Sequence, residues 1–241
     1  MERIMSNPYF QFKQFVVWHD KCAMKVGTDG VLLGAWTSIQ GAHRILDIGT
    51  GTGLVALMLA QRSLSDSYIV ALEIDEAAAE QAKENVSRSP WKNRIEVLQT
   101  DFRFYHSAEK FDVIVSNPPY FVDSLTCSDQ QRSTARHNNS LTYEILFKGV
   151  SELLAKEGKF AIVIPTDVVD RVKLIAVNYG IYAFKQLNVV TKPGGTPKRT
   201  LICFSFKKQV CLIEELLTEV SRHQYSEEYI ALTREYYLNM K

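Results

Sequence analysis

Arg44-Ile45-Leu46-Asp47-Ile48, followed at once by Gly49-Thr50-Gly51-Thr52-Gly53, is the stretch that decides the fold. Its first five residues form an Ile/Leu-rich run, the pattern of a strand buried on both faces. The alternate glycines allow a tight turn and a close approach of backbone amides to a ligand. Helical periodicity begins at Leu54 and runs to Arg62, so strand, glycine turn and helix open a βαβ unit. Outward from there, Tyr68–Glu73, Arg94–Leu98, Phe111–Ser116 and Lys159–Ile164 read as further strands. Glu76–Ser87 and Leu141–Lys156 read as helices, and Asp167–Ala176 as a short helix that Thr166 can cap. This alternation predicts an α/β protein with a doubly wound, mostly parallel sheet.

Beyond Ile181 the pattern changes to two strands, Phe184–Val190 and Thr200–Phe206, joined by Lys192-Pro193-Gly194-Gly195-Thr196-Pro197-Lys198-Arg199. The connection reads as a hairpin with a long basic tip and an antiparallel edge on the sheet. In the tail, Val210, Ile213, Leu216, Leu217 and Val220 stand at helical spacing, and a second helical stretch runs from Glu227 to Leu238. A helical cover on one face of the sheet is expected. One domain spanning 1–241 accommodates all of this, with a segment 1–40 ahead of a core 41–206 and a tail 207–241.

The bulk properties exclude several classes. A formal charge of +1 excludes recognition of nucleic acid through overall charge, so any basic surface is local. No stretch is long and apolar enough to cross a bilayer, and Met1–Gln11 lacks the apolar core of a signal peptide, which makes a cytoplasmic location the expectation. The 4 cysteines are scattered without a C-x-x-C pair and the 5 histidines lack ligand spacing, so no metal site and no disulfide framework are expected. Nothing demands more than a monomer.

Asn117-Pro118-Pro119-Tyr120 leaves the strand Phe111–Ser116, where open α/β sheets bind ligands. Two prolines fix the backbone and remove two N–H donors. The Asn side chain, the carbonyl between the prolines and an aromatic ring offer two acceptors and a stacking surface to a planar group bearing NH2. Adenine N6 and a glutamine side-chain amide both qualify. Three further features lie at successive strand ends. Asp47 sets a carboxylate ahead of Gly49, Gly51 and Gly53, which repels a pyrophosphate and favours a cationic ligand. Glu73 stands 24 residues past Gly49, where an acid can take both hydroxyls of a ribose. Asp101 is placed to meet an adenine amino group, with Phe102 or Ile74 packing on the ring.

These four pieces in order resemble the class I S-adenosylmethionine-dependent methyltransferases over roughly residues 25–206. The resemblance implies a seven-stranded Rossmann-like sheet with an antiparallel last strand and S-adenosyl-L-methionine as cofactor. With Lys25–Trp36, Ala135-Arg136-His137 and Lys192–Thr200 added, the chain is similar to the bacterial tRNA1(Val) adenine-37 N6-methyltransferase family across nearly its whole length. That likeness implies methylation of an exocyclic adenine amine beside the anticodon, with the N-terminal segment covering the methionine end of the cofactor. Lys25, Thr28 and Asp29 are its cofactor-side candidates, although Thr28 or Asp29 is also a natural helix N-cap. For the anticodon stem-loop of tRNA, the local basic groups are Arg132, Arg136 and His137 after Tyr120, and Lys192, Lys198 and Arg199 in the hairpin tip. Rival substrates for the same loop are a protein glutamine amide, a ribosomal RNA guanine N2 and a DNA adenine N6; a scaffold that has lost catalysis is the non-enzymatic rival.

Overall fold

The computed structural model describes residues 7–22, 24–118 and 141–240. First comes a hairpin of β1 (Tyr9–Gln11) and β2 (Val16–Trp18), then α1 (Thr28–Trp36). The alternating part follows as β3 (Arg44–Ile48), α2 (Leu54–Arg62), β4 (Tyr68–Glu73), α3 (Glu76–Ser87), β5 (Ile95–Gln99) and β6 (Phe111–Ser116). It continues with α4 (Tyr143–Leu153), β7 (Leu154–Pro165), α5 (Val169–Asn178), β8 (Tyr182–Val190) and β9 (Arg199–Ser205). The tail holds β10 (Leu212–Leu217), the small hairpin β11 (Glu219–Ser221) and β12 (Gln224–Tyr225), and α6 (Glu227–Thr233).

The main sheet runs β10-β8-β9-β7-β6-β3-β4-β5, parallel throughout except for β9, which is antiparallel to both its neighbours. The alternating apolar faces of the strands divide the interior in two. Ile45, Ile69 and Val113 join α1, α2, Tyr229 and Tyr236 on one side, while Leu46, Val70 and Ile114 join Phe147, Val150 and Val172 of α4 and α5 on the other. Burying such a side chain contributes about 1.5–3 kcal/mol each, so the two cores specify the register of every inner strand. The chain order reverses at β3, whose neighbours are β4 on one side and β6 on the other. That switch point is where an open α/β sheet binds its ligand.

Several expectations need correction. The sheet has eight strands rather than seven among the described residues, because β10 adds to β8 in parallel. The segment expected as a helix from Val210 to Val220 is therefore extended. Its helical spacing recorded no buried face: Leu216 is 5% exposed, but Val210 is 93% and Ile213 58%. The unpaired backbone of β8 offered a ladder that overrode the pattern. Nor is β9 an edge; it lies inside the sheet between β7 and β8. The final helix is shorter than expected, ending at Thr233, and Ser226 caps it by accepting from the Tyr229 amide. Thr166 caps no α-helix: it starts a short 3-10 turn, and its hydroxyl bonds that of Thr200 at 3.0 Å. The helix expected over Leu141–Lys156 ends at Leu153, where the chain passes directly into β7.

Candidate active site

Ile48 of β3 and Ser116 of β6 are register partners, and the Ser116 hydroxyl donates to the Ile48 carbonyl at 2.9 Å. Gly49 and Asn117 therefore leave the sheet side by side. The glycine loop needs its glycines: Gly49, Gly51 and Gly53 have φ of 73°, 56° and 82°, a region that L side chains occupy only under strain. The amides of Gly49 and Thr50 both donate to the Leu72 carbonyl at 2.9 Å, and Gly53 donates back to Thr50. Asn85 of α3, buried, donates to the Thr52 carbonyl at 2.9 Å. The loop is thus fixed from β4 and from α3.

Asp47 is 1% exposed, and its Oδ2 accepts from the Thr50 hydroxyl at 2.6 Å and the Ala56 amide at 3.2 Å. It ties the glycine turn to the start of α2, where the amides carry partial positive charge. Burial nevertheless pushes its carboxyl up to about 7, outweighing those two hydrogen bonds. Because the folded value lies above the ordinary carboxyl value of 3.8, the folded state holds a proton the unfolded chain has lost over the window between them. Stability contributed by that proton is present below the unfolded value and is lost as pH rises through about 7. Asp47→Asn keeps an oxygen for both donors and removes the charge. Its urea unfolding free energy is expected to lack the decline that the parent protein shows between about pH 4 and 7; equal pH slopes in the two proteins would refute this.

Glu73, at the end of β4, is held by backbone: Gly51 donates to Oε2 at 2.8 Å, and Ile74 and Asp75 donate to Oε1 at 2.9 and 3.0 Å. A carboxylate has about four acceptor positions, so one remains, on Oε2. The expectation that both oxygens take ribose hydroxyls is narrowed to that one in this conformation. Asp75 caps α3 by accepting from Ala78. At the end of β5, Asp101 accepts from the Arg103 amide at 2.9 Å and from Arg103 Nε at 2.8 Å. These bonds from Arg103 hold its carboxyl below the usual carboxylate range. Phe102 is not a stacking surface: it is 7% exposed, and a Cβ on Gly149 of α4 would stand 2.6 Å from its ring. Ile74, 58% exposed, is left as the apolar group at this corner.

Asn117 is half-buried and faces α1: a Cβ on Gly30 would come within 3.8 Å of its Nδ2 and 3.0 Å of Leu54. Pro118 is buried behind it. The N-cap of α1 is Gly27, without a side-chain bond, so neither Thr28 nor Asp29 caps this helix. Lys25 and Thr28 are exposed, and Asp29 Oδ2 accepts from Arg199 Nε at 3.0 Å. Arg199 is accordingly the first residue of β9 and an ion-pair partner rather than a tip cation. Lys192 and Lys198 are exposed at the tip, and the Lys198 carbonyl accepts from the Thr166 amide at 3.2 Å. β8 runs parallel to β6, which puts the tip at the same end of the sheet as Asn117. Pro119, Tyr120, Arg132, Arg136 and His137 lie outside the described residues.

The glycine loop, Glu73, Ile74, Asp101, Asn117 and the open start of α1 therefore surround one corner at the carboxyl ends of β6, β3, β4 and β5. Thr50, Asn85, Arg103 and Ser116, which hold the named residues in place, were not singled out from sequence. A polar Asn85 on the apolar periodicity of α3 is the sequence signal that could have found it. The N-terminal turn of α1, an exposed Ile74 and acceptor positions on Glu73 and Asp101 suit a ligand with a carboxylate at one end and an adenosine at the other. Among the described residues no three His, Cys, Asp or Glu side chains gather to hold a metal, and no helix is long and apolar enough to cross a membrane.

Residues 27–177 match the family described as the methyltransferase small domain. A Bacteroides thetaiotaomicron protein named tRNA1(Val) (adenine(37)-N6)-methyltransferase is 78% identical over 98% of this chain and 100% of its own. A protein of the same name from Tolumonas auensis is 44% identical over 98% of this chain and 99% of its own. Among solved structures, a predicted O-methyltransferase from Agrobacterium tumefaciens superposes with a TM-score of 0.64 at 20% identity, covering 86% of this chain and 96% of that one. A glycopeptide N-methyltransferase in complex with S-adenosyl-L-methionine gives 0.55 at 13% identity, covering 76% and 100%. These two likenesses bear on the fold alone, which is that of the class I methyltransferases.

Proposed function

The chain belongs to the family of tRNA1(Val) (adenine(37)-N6)-methyltransferases, and on that premise we propose that it methylates the exocyclic N6 of adenine 37 in tRNA1(Val), in the cytoplasm. S-adenosylmethionine supplies the electrophilic methyl group. The proposed holding residues are Lys25, Thr28 and Asp29 toward the methionine end, the glycine loop, Glu73 for the ribose, and Asp101 with Ile74 for the adenine. The observation that most supports the assignment is the side-by-side exit of Gly49 and Asn117 from register partners. It sets a donor loop next to an acceptor clamp.

The lone pair of adenine N6 is delocalised into the ring, so the amine is a weak nucleophile. Asn117 Oδ1 and the Pro118 carbonyl each accept one N6–H bond. Two acceptors below the nitrogen favour its pyramidal form, with the lone pair turned toward the methyl group. They also stabilise the positive charge that grows on nitrogen, and a proline-stiffened backbone fixes the approach. The methylated amine then loses its proton to water, so no strong base is needed. Tyr120 is assigned to stacking on the target base, which must be splayed from its neighbours. The exposed Lys192 and Lys198, with Arg132, Arg136 and His137, are assigned to phosphates of the anticodon stem-loop.

Incubation with methyl-labelled cofactor and separate tRNA, ribosomal RNA and protein fractions tests the reading. Label is expected in tRNA and, after nucleoside digestion, in N6-methyladenosine. Label confined to protein would replace the reading by glutamine-amide methylation, and label nowhere by a binding scaffold.

A further inference from the structure

β10 closes one side of the main sheet: β8 pairs with one of its edges, and no described strand pairs with the other. Around that open edge Val210 is 93%, Leu212 57% and Ile213 58% exposed. An apolar, unpaired edge is a template for another strand, and soluble proteins usually blunt such edges. Here the flanking charges are sorted by sign instead. Lys207 and Lys208 precede the apolar residues, and Glu214 and Glu215 follow them.

We propose that Lys207 to Glu215, the segment leading into β10 together with the first four residues of β10, pairs antiparallel with the same segment of a second copy of the chain, about a twofold axis through Cys211. In that register Lys208 of one copy stands opposite Glu214 of the other, and Val210 opposite Leu212. Because the axis repeats each pair, one face of the new ladder reads Lys–Glu, Val–Leu, Leu–Val, Glu–Lys. The other face sets Lys207 against Glu215, Gln209 against Ile213 and Cys211 against its own counterpart. Opposite charges and paired apolar side chains directly across an antiparallel ladder both stabilise it. Moving the axis to Ile213 would instead set Glu214 against Leu212 and Glu215 against Cys211, leaving the carboxylates unpaired. The far end of the edge is closed already, because the Ser226 hydroxyl donates to the Leu217 carbonyl; that favours pairing toward Val210. Glu214 is also held by Lys185 Nζ at 3.1 Å across β8 and β10, which orders the carboxylate that the second copy would meet. The contact is isologous, so it stops at two copies and joins two sheets into one.

Light scattering on the full chain after size exclusion tests this. A particle of twice 27.4 kDa is expected at high concentration. Lys208→Glu or Glu214→Lys alone should raise the dissociation midpoint by about tenfold or more, since each change turns two attractive pairs repulsive. Combining the two exchanges restores opposite signs across the axis, and the midpoint should return toward that of the parent protein. A monomer at every concentration up to about 100 µM overturns the proposal. So does a dimer whose midpoint ignores the single changes, or single variants that the double exchange fails to rescue.

Discussion

Replacing Asn117 by Ala is expected to abolish methyl transfer while leaving affinity for S-adenosylmethionine within about tenfold. The side chain stands at the exit of β6, half-buried and close to Gly30, and its assigned task arises only as charge develops on the target nitrogen. Removing an interaction realised in the transition state lowers kcat and kcat/KM together. By analogy with the loss of a single oxyanion donor, a drop of at least about 10²–10³ in kcat is anticipated. Single-turnover transfer measured beside calorimetric cofactor binding separates the two quantities. Turnover near the parent rate would remove Asn117 from the mechanism, and a collapse of cofactor binding would make it a binding residue instead.

Glu73→Ala should act in the opposite sense, on cofactor affinity first. Its carboxylate receives the Gly51, Ile74 and Asp75 amides, so its loss frees the middle of the glycine loop and removes the proposed ribose acceptor. A hydrogen bond to a charged group contributes about 1.5–3 kcal/mol. Losing the ribose contact along with the loop anchor is therefore expected to weaken cofactor binding by about a hundredfold. Glu73→Gln retains one acceptor oxygen and should fall between the two. Calorimetry on both variants checks the order, and an affinity within about threefold of the parent in the alanine variant would show that the acid only shapes the turn.

The inner sheet was legible because strands buried on both faces have no choice but continuous apolar composition. Arg44–Ile48, Tyr68–Glu73 and Phe111–Ser116 were readable to the residue. Punctuation by Gly and Pro placed the loops that bear the candidate site. The tail was misread because Val210, Ile213 and Val220 keep helical spacing by composition alone, while the free ladder of β8 decides their conformation. A sequence records side-chain pattern well and backbone vacancies poorly. The same limit hid Phe102, whose burial depends on the missing Cβ of Gly149 some 47 positions along the chain. It hid too that Asp29 and Arg199, assigned to different ligands, neutralise one another.

Because Ile48 and Ser116 are paired rungs of one ladder, the proposed assignment makes the spacing between methyl donor and acceptor amine a matter of interstrand geometry, not of the loops. The residues proposed to choose the substrate lie beyond that rung, in the chain after Pro118 and in the tip between β8 and β9. Such a division lets the periphery drift toward a new nucleotide, or even a peptide amide, while the alignment of reacting atoms stays untouched.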